Sequence, residues 1–234
     1  MEQKIKEEIL FKAKTFFVKK IVSNHIKNTK KLSDIKEFNS NPFLLKYLSN
    51  FVFGDMSPES LAKVLLYPRI LGTSINTTFG NQLQFFCSEV LTSFASTTPG
   101  IDIEFIDATD GRKKYCQVKA GPTTINNDDV TTIKNHFNSI KNIARTNHLI
   151  DFNPMIDCIV GVFYGTENEL SGCYKNISKD YPVYIGKEFW YRLTGDEDFY
   201  QDLINTFGEV AGEITAIDLD SIIEELAQKI REEI

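Results

Sequence analysis

A chain of 234 residues is long enough to bury a sizeable core and fits one domain with helical decoration, or one and a half. Its hydrophobic content of 42% and aromatic content of 12% exclude a disordered polypeptide. The formal net charge of -6 argues against a polyanionic partner only if it is spread evenly, and it is not: residues 196 to 234 carry 12 acids against 2 bases, which leaves 20 acids against 24 bases on the first 195. A mildly basic body with an acidic tail is compatible with nucleic acid, because local fields and bound cations decide such contacts.

The start, MEQKIKEEILFKAKTFF, is charged and periodic. It contains no apolar run long enough for a signal sequence or membrane span, so a cytoplasmic protein is expected. Residues 3 to about 30 read as one amphipathic helix with Ile5, Ile9, Ala13, Phe16, Phe17 and Ile21 on one stripe. After an apolar segment around Pro42–Leu48, Ser57 and Pro58 provide an N-cap and first helical residue. That helix runs to about Ile70. Gly72 to Thr78, rich in hydroxyl and amide side chains, reads as a loop ahead of a helix from about Gly80 to Ala95, and Arg69, Thr73 and Ser74 are DNA-contact candidates there. Glu89 flanks the apolar stripe of that helix, either as a surface residue or as a group reaching the next segment.

The segment IDIEFIDATDGRKKYCQVKAGPTT, residues 101 to 124, reads as two strands joined by the turn Thr109-Asp110-Gly111-Arg112. Alternation along a strand places Asp102 with Glu104, and Gln117 with Lys119, on common faces. The four are either the solvent face of an ordinary hairpin or a site. Gly121-Pro122 then breaks the strand, and Asn126 or Asn127 caps a helix to about His148 whose Val130, Ile133, Phe137, Ile140 and Ala144 pack on the sheet. Met155 to Tyr164 reads as a buried strand and Val183 to Ile185 as another. A helix with Phe189, Trp190 and Leu193 follows, then one from Asp196 through Phe207, then an amphipathic C-terminal segment. Cys87, Cys116, Cys158 and Cys173 contain no CxxC pair, so neither a zinc site nor a disulfide framework is indicated. His25, His136 and His148 are scattered, which disfavours a histidine-centred hydrolase.

An acid on one strand, 14 intervening residues, then Gln117-Val118-Lys119 on the next is similar to the signature of the PD-(D/E)XK nuclease superfamily in its Gln-x-Lys branch. The Gly-Pro-Thr-Thr-Ile-Asn after the lysine and Ile185-Gly186-Lys187-Glu188-Phe189-Trp190 resemble type II restriction endonucleases that cut GGNCC-type sites. The resemblance implies an α/β restriction-endonuclease-like core, a central mixed sheet flanked by helices, with additional N- and C-terminal helices. It divides the chain into a helical DNA-binding or dimerisation region (1–75), a nuclease core (76–195) and acidic C-terminal helices packed on the core or a partner subunit (196–234). It implies magnesium, with manganese as a substitute, held by Asp102, Gln117 and the Val118 carbonyl. Glu89 or Glu104 would add a carboxylate, and Lys119 would hold the attacking water. Thr123, Thr124, Asn126, Asn127 and Lys134 join the DNA-contact candidates. The partners implied are double-stranded DNA and a second copy in a homodimer. Two other readings remain: a repair or modification-dependent nuclease of the same core, and a non-cutting DNA-binding protein with a degenerate nuclease fold, which Gln117 favours.

Overall fold

The computed structural model describes residues 1–213 and 218–233; the side chains of Ser74, residues 211–213 and Glu233 lie outside the described set. Helix α1 (Gln3–Phe16) runs through a π-helical stretch (Phe17–Val22) into α2 (Ser23–Lys31), followed by α3 (Pro42–Phe53) and α4 (Pro58–Pro68). A second π-helical stretch (Arg69–Thr73) leads into α5 (Ser74–Glu89). Then come β1 (Ile103–Ile106), β2 (Lys113–Lys119), α6 (Asn127–Thr146), the single turn α7 (Pro154–Asp157), β3 (Cys158–Val162), α8 (Gly172–Ile177), β4 (Val183–Ile185), α9 (Lys187–Thr194), α10 (Phe199–Glu213) and α11 (Leu219–Glu233).

These elements form two compact units, Met1–Phe16 with Gln82–Glu209, and Phe17–Asn81 with Val210–Ile234. The division expected at 75/76 and 195/196 is therefore crossed twice. Helix α1 goes with the sheet because Ile9, Ala13 and Phe16 are buried and Lys6 pairs with Asp196 at 2.9 Å and Asp202 at 2.6 Å. Helix α11 goes with α4, where Leu61, Ala62, Leu66 and Ile70 share one core with Ile222, Ile223, Leu226, Ala227 and Ile230. The C-terminal stripe read from the sequence is thus matched to the apolar face of an N-terminal helix.

Within the first unit the sheet order is β1-β2-β3-β4, with β1 antiparallel to β2 and the other pairs parallel. It is an α/β fold with a mixed sheet flanked by helices. Strand β3 is buried along its whole length, as a parallel strand covered on both faces should be. On one face Cys158, Val160 and Val162 meet Val130, Ile133, Phe137 and Ile140 of α6, with Tyr174 and Ile177 of α8. On the other, Gly161 lies against α9 so closely that a Cβ would stand 2.2 Å from the Phe189 ring. Edge-to-face ring contacts then run from Phe16 to Phe86, Phe163 and Trp190. The Trp190 indole donates to the Phe163 carbonyl at 2.9 Å, so the buried ring keeps its polar partner.

Two local expectations change. Residues 72–78 are helical rather than a loop: α4, the π-helical stretch and α5 run on from one another, and Thr73 donates its hydroxyl back to the Pro68 carbonyl at 3.4 Å. A hydroxyl bonded back to a carbonyl of the preceding turn finds its partner inside the helix, although such bonds bend helices and slightly destabilise them. The run from Met155 begins as a helical turn and becomes strand only at Cys158, because Asn153 caps that turn and the buried Asp157 accepts both arms of Arg112, each at 2.7 Å. Ser57 and Pro58 start α4 as read from sequence. Among the described residues no helix is long and apolar enough to cross a membrane.

Replacing Gly161 by alanine forces a methyl group into the Phe189 ring, so Gly161→Ala should lower unfolding stability by about 1–3 kcal/mol, the usual cost of overpacking. Urea unfolding followed by Trp190 fluorescence measures it, and an unchanged midpoint would mean that α9 shifts without cost.

Candidate active site

The site arises where β1 leaves β2. Ile103 pairs with Cys116, yet the Asp102 N–H also bonds the Cys116 carbonyl at 3.1 Å. Two residues of the first strand thus share one of the second, a bulge that re-aims the Asp102 side chain. One step further, a continued ladder would join Ile101 to Val118 through both N–H groups. Neither bond forms. The Ile101 N–H goes to the Thr98 carbonyl at 3.1 Å, and the Val118 N–H goes to Asp102 Oδ2 at 2.7 Å. The Val118 carbonyl, on the same edge of β2, is left outside the ladder.

Gln117 is 6% exposed, and its side-chain NH2 donates to the Gly100 carbonyl and meets His136 Nδ1 at 2.5 Å. Its Oε1 is buried without a hydrogen-bond partner. Burial raises the Asp102 carboxyl above its ordinary pKa, against the opposing pull of the Val118 N–H and Lys119. The Lys119 ammonium enters no hydrogen bond or ion pair among the described residues, while its backbone carbonyl accepts the Phe163 N–H at 2.8 Å. An orphaned amide oxygen and an unladdered carbonyl thus belong to neighbouring residues of β2, whose Val118 N–H holds the buried Asp102 carboxylate, with the half-buried Lys119 next along the strand. That donor set suits a hard cation that takes oxygen ligands and keeps several waters, as magnesium does. Among the described residues no three His, Cys, Asp or Glu side chains converge to hold a metal; two of the three oxygens here come from an amide and the backbone.

Glu104 does not join this cluster. The bulge breaks the alternation that would have put it beside Asp102, and its Oε1 accepts the Ser96 and Thr98 hydroxyls, both at 2.6 Å, while Oε2 pairs with Lys113 at 2.7 Å. Burial works to raise this carboxyl, but Lys113 and the two hydroxyls outweigh it and hold it below its ordinary value. Its role here is to fix the loop from which Asp102 emerges. Glu89 is the exposed last residue of α5. It is Cys87, two residues earlier, that feels Asp102: burial first, then that carboxylate, raise the thiols of both Cys87 and Cys116. They are the small buried hydrophobes expected of them.

Thr123 is exposed beyond the strand. Thr124 closes the Gly121 turn, donating to its carbonyl at 2.9 Å and accepting its N–H at 3.2 Å. Asn126 caps α6 in a reciprocal capping box with Asp129, and Asn127 accepts from the Cys173 thiol at 3.7 Å. Lys134 is paired with Asp180 at 2.7 Å and Asn176 at 3.2 Å, an intramolecular surface contact between α6 and the end of α8. Arg69 and Thr73 belong to the other unit. There, with Asn28, Lys31 and Asn81, they line a polar hollow of about 460 Å³, and Arg69 donates to the Glu37 carbonyl at 3.3 Å. The side chain of Ser74 lies outside the described residues. The residue that sequence reading passed over is His136. A lone histidine in the middle of a helix carries no spacing signal; only the three-dimensional contact with Gln117 and Gly100 reveals it.

Comparison with curated proteins returns no match. The family model of the type II restriction endonuclease EcoO109I matches residues 3–215, nearly the whole chain. By that match the chain belongs to the type II restriction endonuclease EcoO109I family, a family of DNA-cutting enzymes.

Proposed function

We propose that the protein hydrolyses phosphodiesters of double-stranded DNA at a short palindromic site of the GGNCC kind, using magnesium or manganese. What supports this reading is the Asp102 carboxylate held by the Val118 N–H where the two strands part, with the unpartnered Gln117 amide oxygen and Lys119 on the same stretch of β2. Asp102, Gln117 and Val118 would hold the cation. Bound there, it supplies charge neutralisation at the scissile phosphate and help for the leaving oxygen. Lys119 contributes a fixed positive charge that orients a water for attack and lowers the cost of its deprotonation. The Val118 N–H and Glu104, through the loop it anchors, hold Asp102 in place.

Thr123 and the flanking polar residues after β2 are offered as base contacts and the Arg69 hollow as a phosphate contact, in the division of labour usual for DNA readers. A palindromic target pairs naturally with a two-fold dimer in which each subunit cuts one strand. Retention of both Asp102 and Lys119 argues against the degenerate, non-cutting fold that Gln117 alone would favour.

Incubation with plasmid DNA should yield discrete fragments with magnesium or manganese and none with excess chelator, and sequencing the fragment ends should return one short symmetric motif. Smears of random ends would remove site specificity, and cutting in chelator would remove the cation mechanism.

Asp102→Asn keeps an oxygen for the Val118 N–H and relieves a buried charge, so it should fold at least as stably as the parent while losing cleavage by about 10²–10³-fold or more, as when one charge-stabilising group is removed. Lys119→Met should lose a similar factor. DNA affinity in both should persist and fall steeply with salt. Single-turnover rates and filter binding check this; near-parental cutting by either variant would take these residues out of the reaction.

A further inference from the structure

A carboxamide has two ends of almost equal shape and opposite polarity, so a glutamine that offers oxygen to a cation needs something to stop it from turning. At Gln117 that restraint is visible. Its NH2 lies against the Gly100 carbonyl, which can only accept, and against His136 Nδ1, which accepts when the ring carries its proton on Nε2. Only an N–H2 group satisfies both, which leaves Oε1 as the end with no protein partner, buried at the strand parting. The acceptors are themselves fixed. Gly100 has φ +79°, and a Cβ there would stand 2.7 Å from His136 Cγ, so the imidazole rests directly on this glycine. Helix α6, which carries His136, is anchored by its capping box and by Ile133, Phe137 and Ile140 in the core.

We propose that His136, together with the Gly100 carbonyl, is a positioning residue that locks the Gln117 carboxamide with its oxygen toward the cation position, so that this site is built for glutamine and not for glutamate. The proposal rests on the cation-dependent nuclease reading of Asp102, Gln117 and Lys119. A glutamate at 117 would keep an oxygen at the same reach and add a charge that favours a cation. A glutamate would set a carboxylate oxygen against the Gly100 carbonyl oxygen, with no proton between them. Repulsion then swings the carboxylate out of the pocket, and the gain from its charge is lost to misplacement. Imidazole in this role keeps its proton on Nε2 and presents Nδ1 as acceptor.

The test uses the full-length protein without DNA, so that positioning is read apart from catalysis. With glutamine side chains labelled with ¹⁵N, the Gln117 amide signal is identified by its loss in Gln117→Glu. The parent should show a dispersed pair of amide protons, which in His136→Phe move toward the values of a solvated glutamine. Manganese affinity, measured by electron paramagnetic resonance, should fall about tenfold in that variant, the scale of losing a group that orients a metal ligand. His136→Gln, which restores an acceptor, should recover most of both signals and guards against simple misfolding of the phenylalanine variant. Gln117→Glu should bind manganese no tighter than the parent. A His136→Phe variant that folds, with amide shifts and manganese affinity unchanged, would overturn the role of His136 while leaving the nuclease reading intact. A glutamate variant binding at least tenfold tighter would overturn the preference for glutamine. A parent with the amide clamped as described but no affinity for manganese would overturn the cation-facing part, and with it the reading of the site.

Discussion

Everything at the candidate site follows from one substitution of partners: the Val118 N–H bonds the carboxylate of Asp102 where a regular ladder would give it the backbone of Ile101. An antiparallel pair that simply ended would leave its last N–H and C=O to solvent. Here the N–H is satisfied by a side chain, at 2.7 Å, and the carbonyl is not satisfied by the ladder at all. The strand edge thereby becomes asymmetric, with its donor capped and its acceptor open. Unsatisfied buried acceptors are costly, and a hard cation is the kind of partner that offsets such a cost for several oxygens at once. The buried Gln117 Oε1 and the raised Asp102 carboxyl are two more debts of the same sign at the same place.

Rigidity comes from elsewhere in the same unit. Lys114, wholly buried, donates to Asp110 at 2.5 Å and to the Ile156 carbonyl at 3.2 Å, with Asp107 and Asp157 within 4.0 Å and 3.9 Å. Arg192 reaches Asp107 at 3.0 Å and stacks on Tyr184, while Arg112 grips Asp157. Breaking a buried charge network of this kind is expensive because each lost partner strands another charge. The network ties the tip of the β1–β2 hairpin to α7 and α9, at the opposite end of the strands from Asp102. One end of the hairpin is pinned by saturated charges, and the other is left open by unsaturated oxygens.

Sequence alone carried the helices with strong caps and the buried strands, because Ser57-Pro58, the Asn126 cap and the apolar run at 158–162 are local signals that tertiary packing reinforces. Motif spacing also singled out Asp102, Gln117 and Lys119 as candidates. It did not carry the bulge. Alternation assumes an unbroken register, and a single doubled residue opposite Cys116 is enough to send Asp102 to Val118 and leave Glu104 with Ser96, Thr98 and Lys113. The helical state of residues 72–78 was hidden for a related reason: hydroxyl side chains signal loops when read locally, and only the bond from Thr73 back to Pro68 shows one of them finding its partner within a helix. The grouping of α11 with α4 depends on contacts between the two ends of the chain, which no window along the sequence contains.

His136 shows where such reading stops in principle. Its neighbours in sequence, Asn135 and Phe137, say nothing of Gln117, which lies 19 residues earlier on another element. What brings them together is the length of α6, the cap that starts it at Asn127, and the glycine at 100 whose missing side chain leaves room for the ring. The surroundings of residue 117 suit an amide: the Gly100 carbonyl, which can only accept, stands where a carboxylate would want a donor. The Gly100 carbonyl and the His136 ring thus fix which end of the Gln117 amide is held and which end is left without a partner.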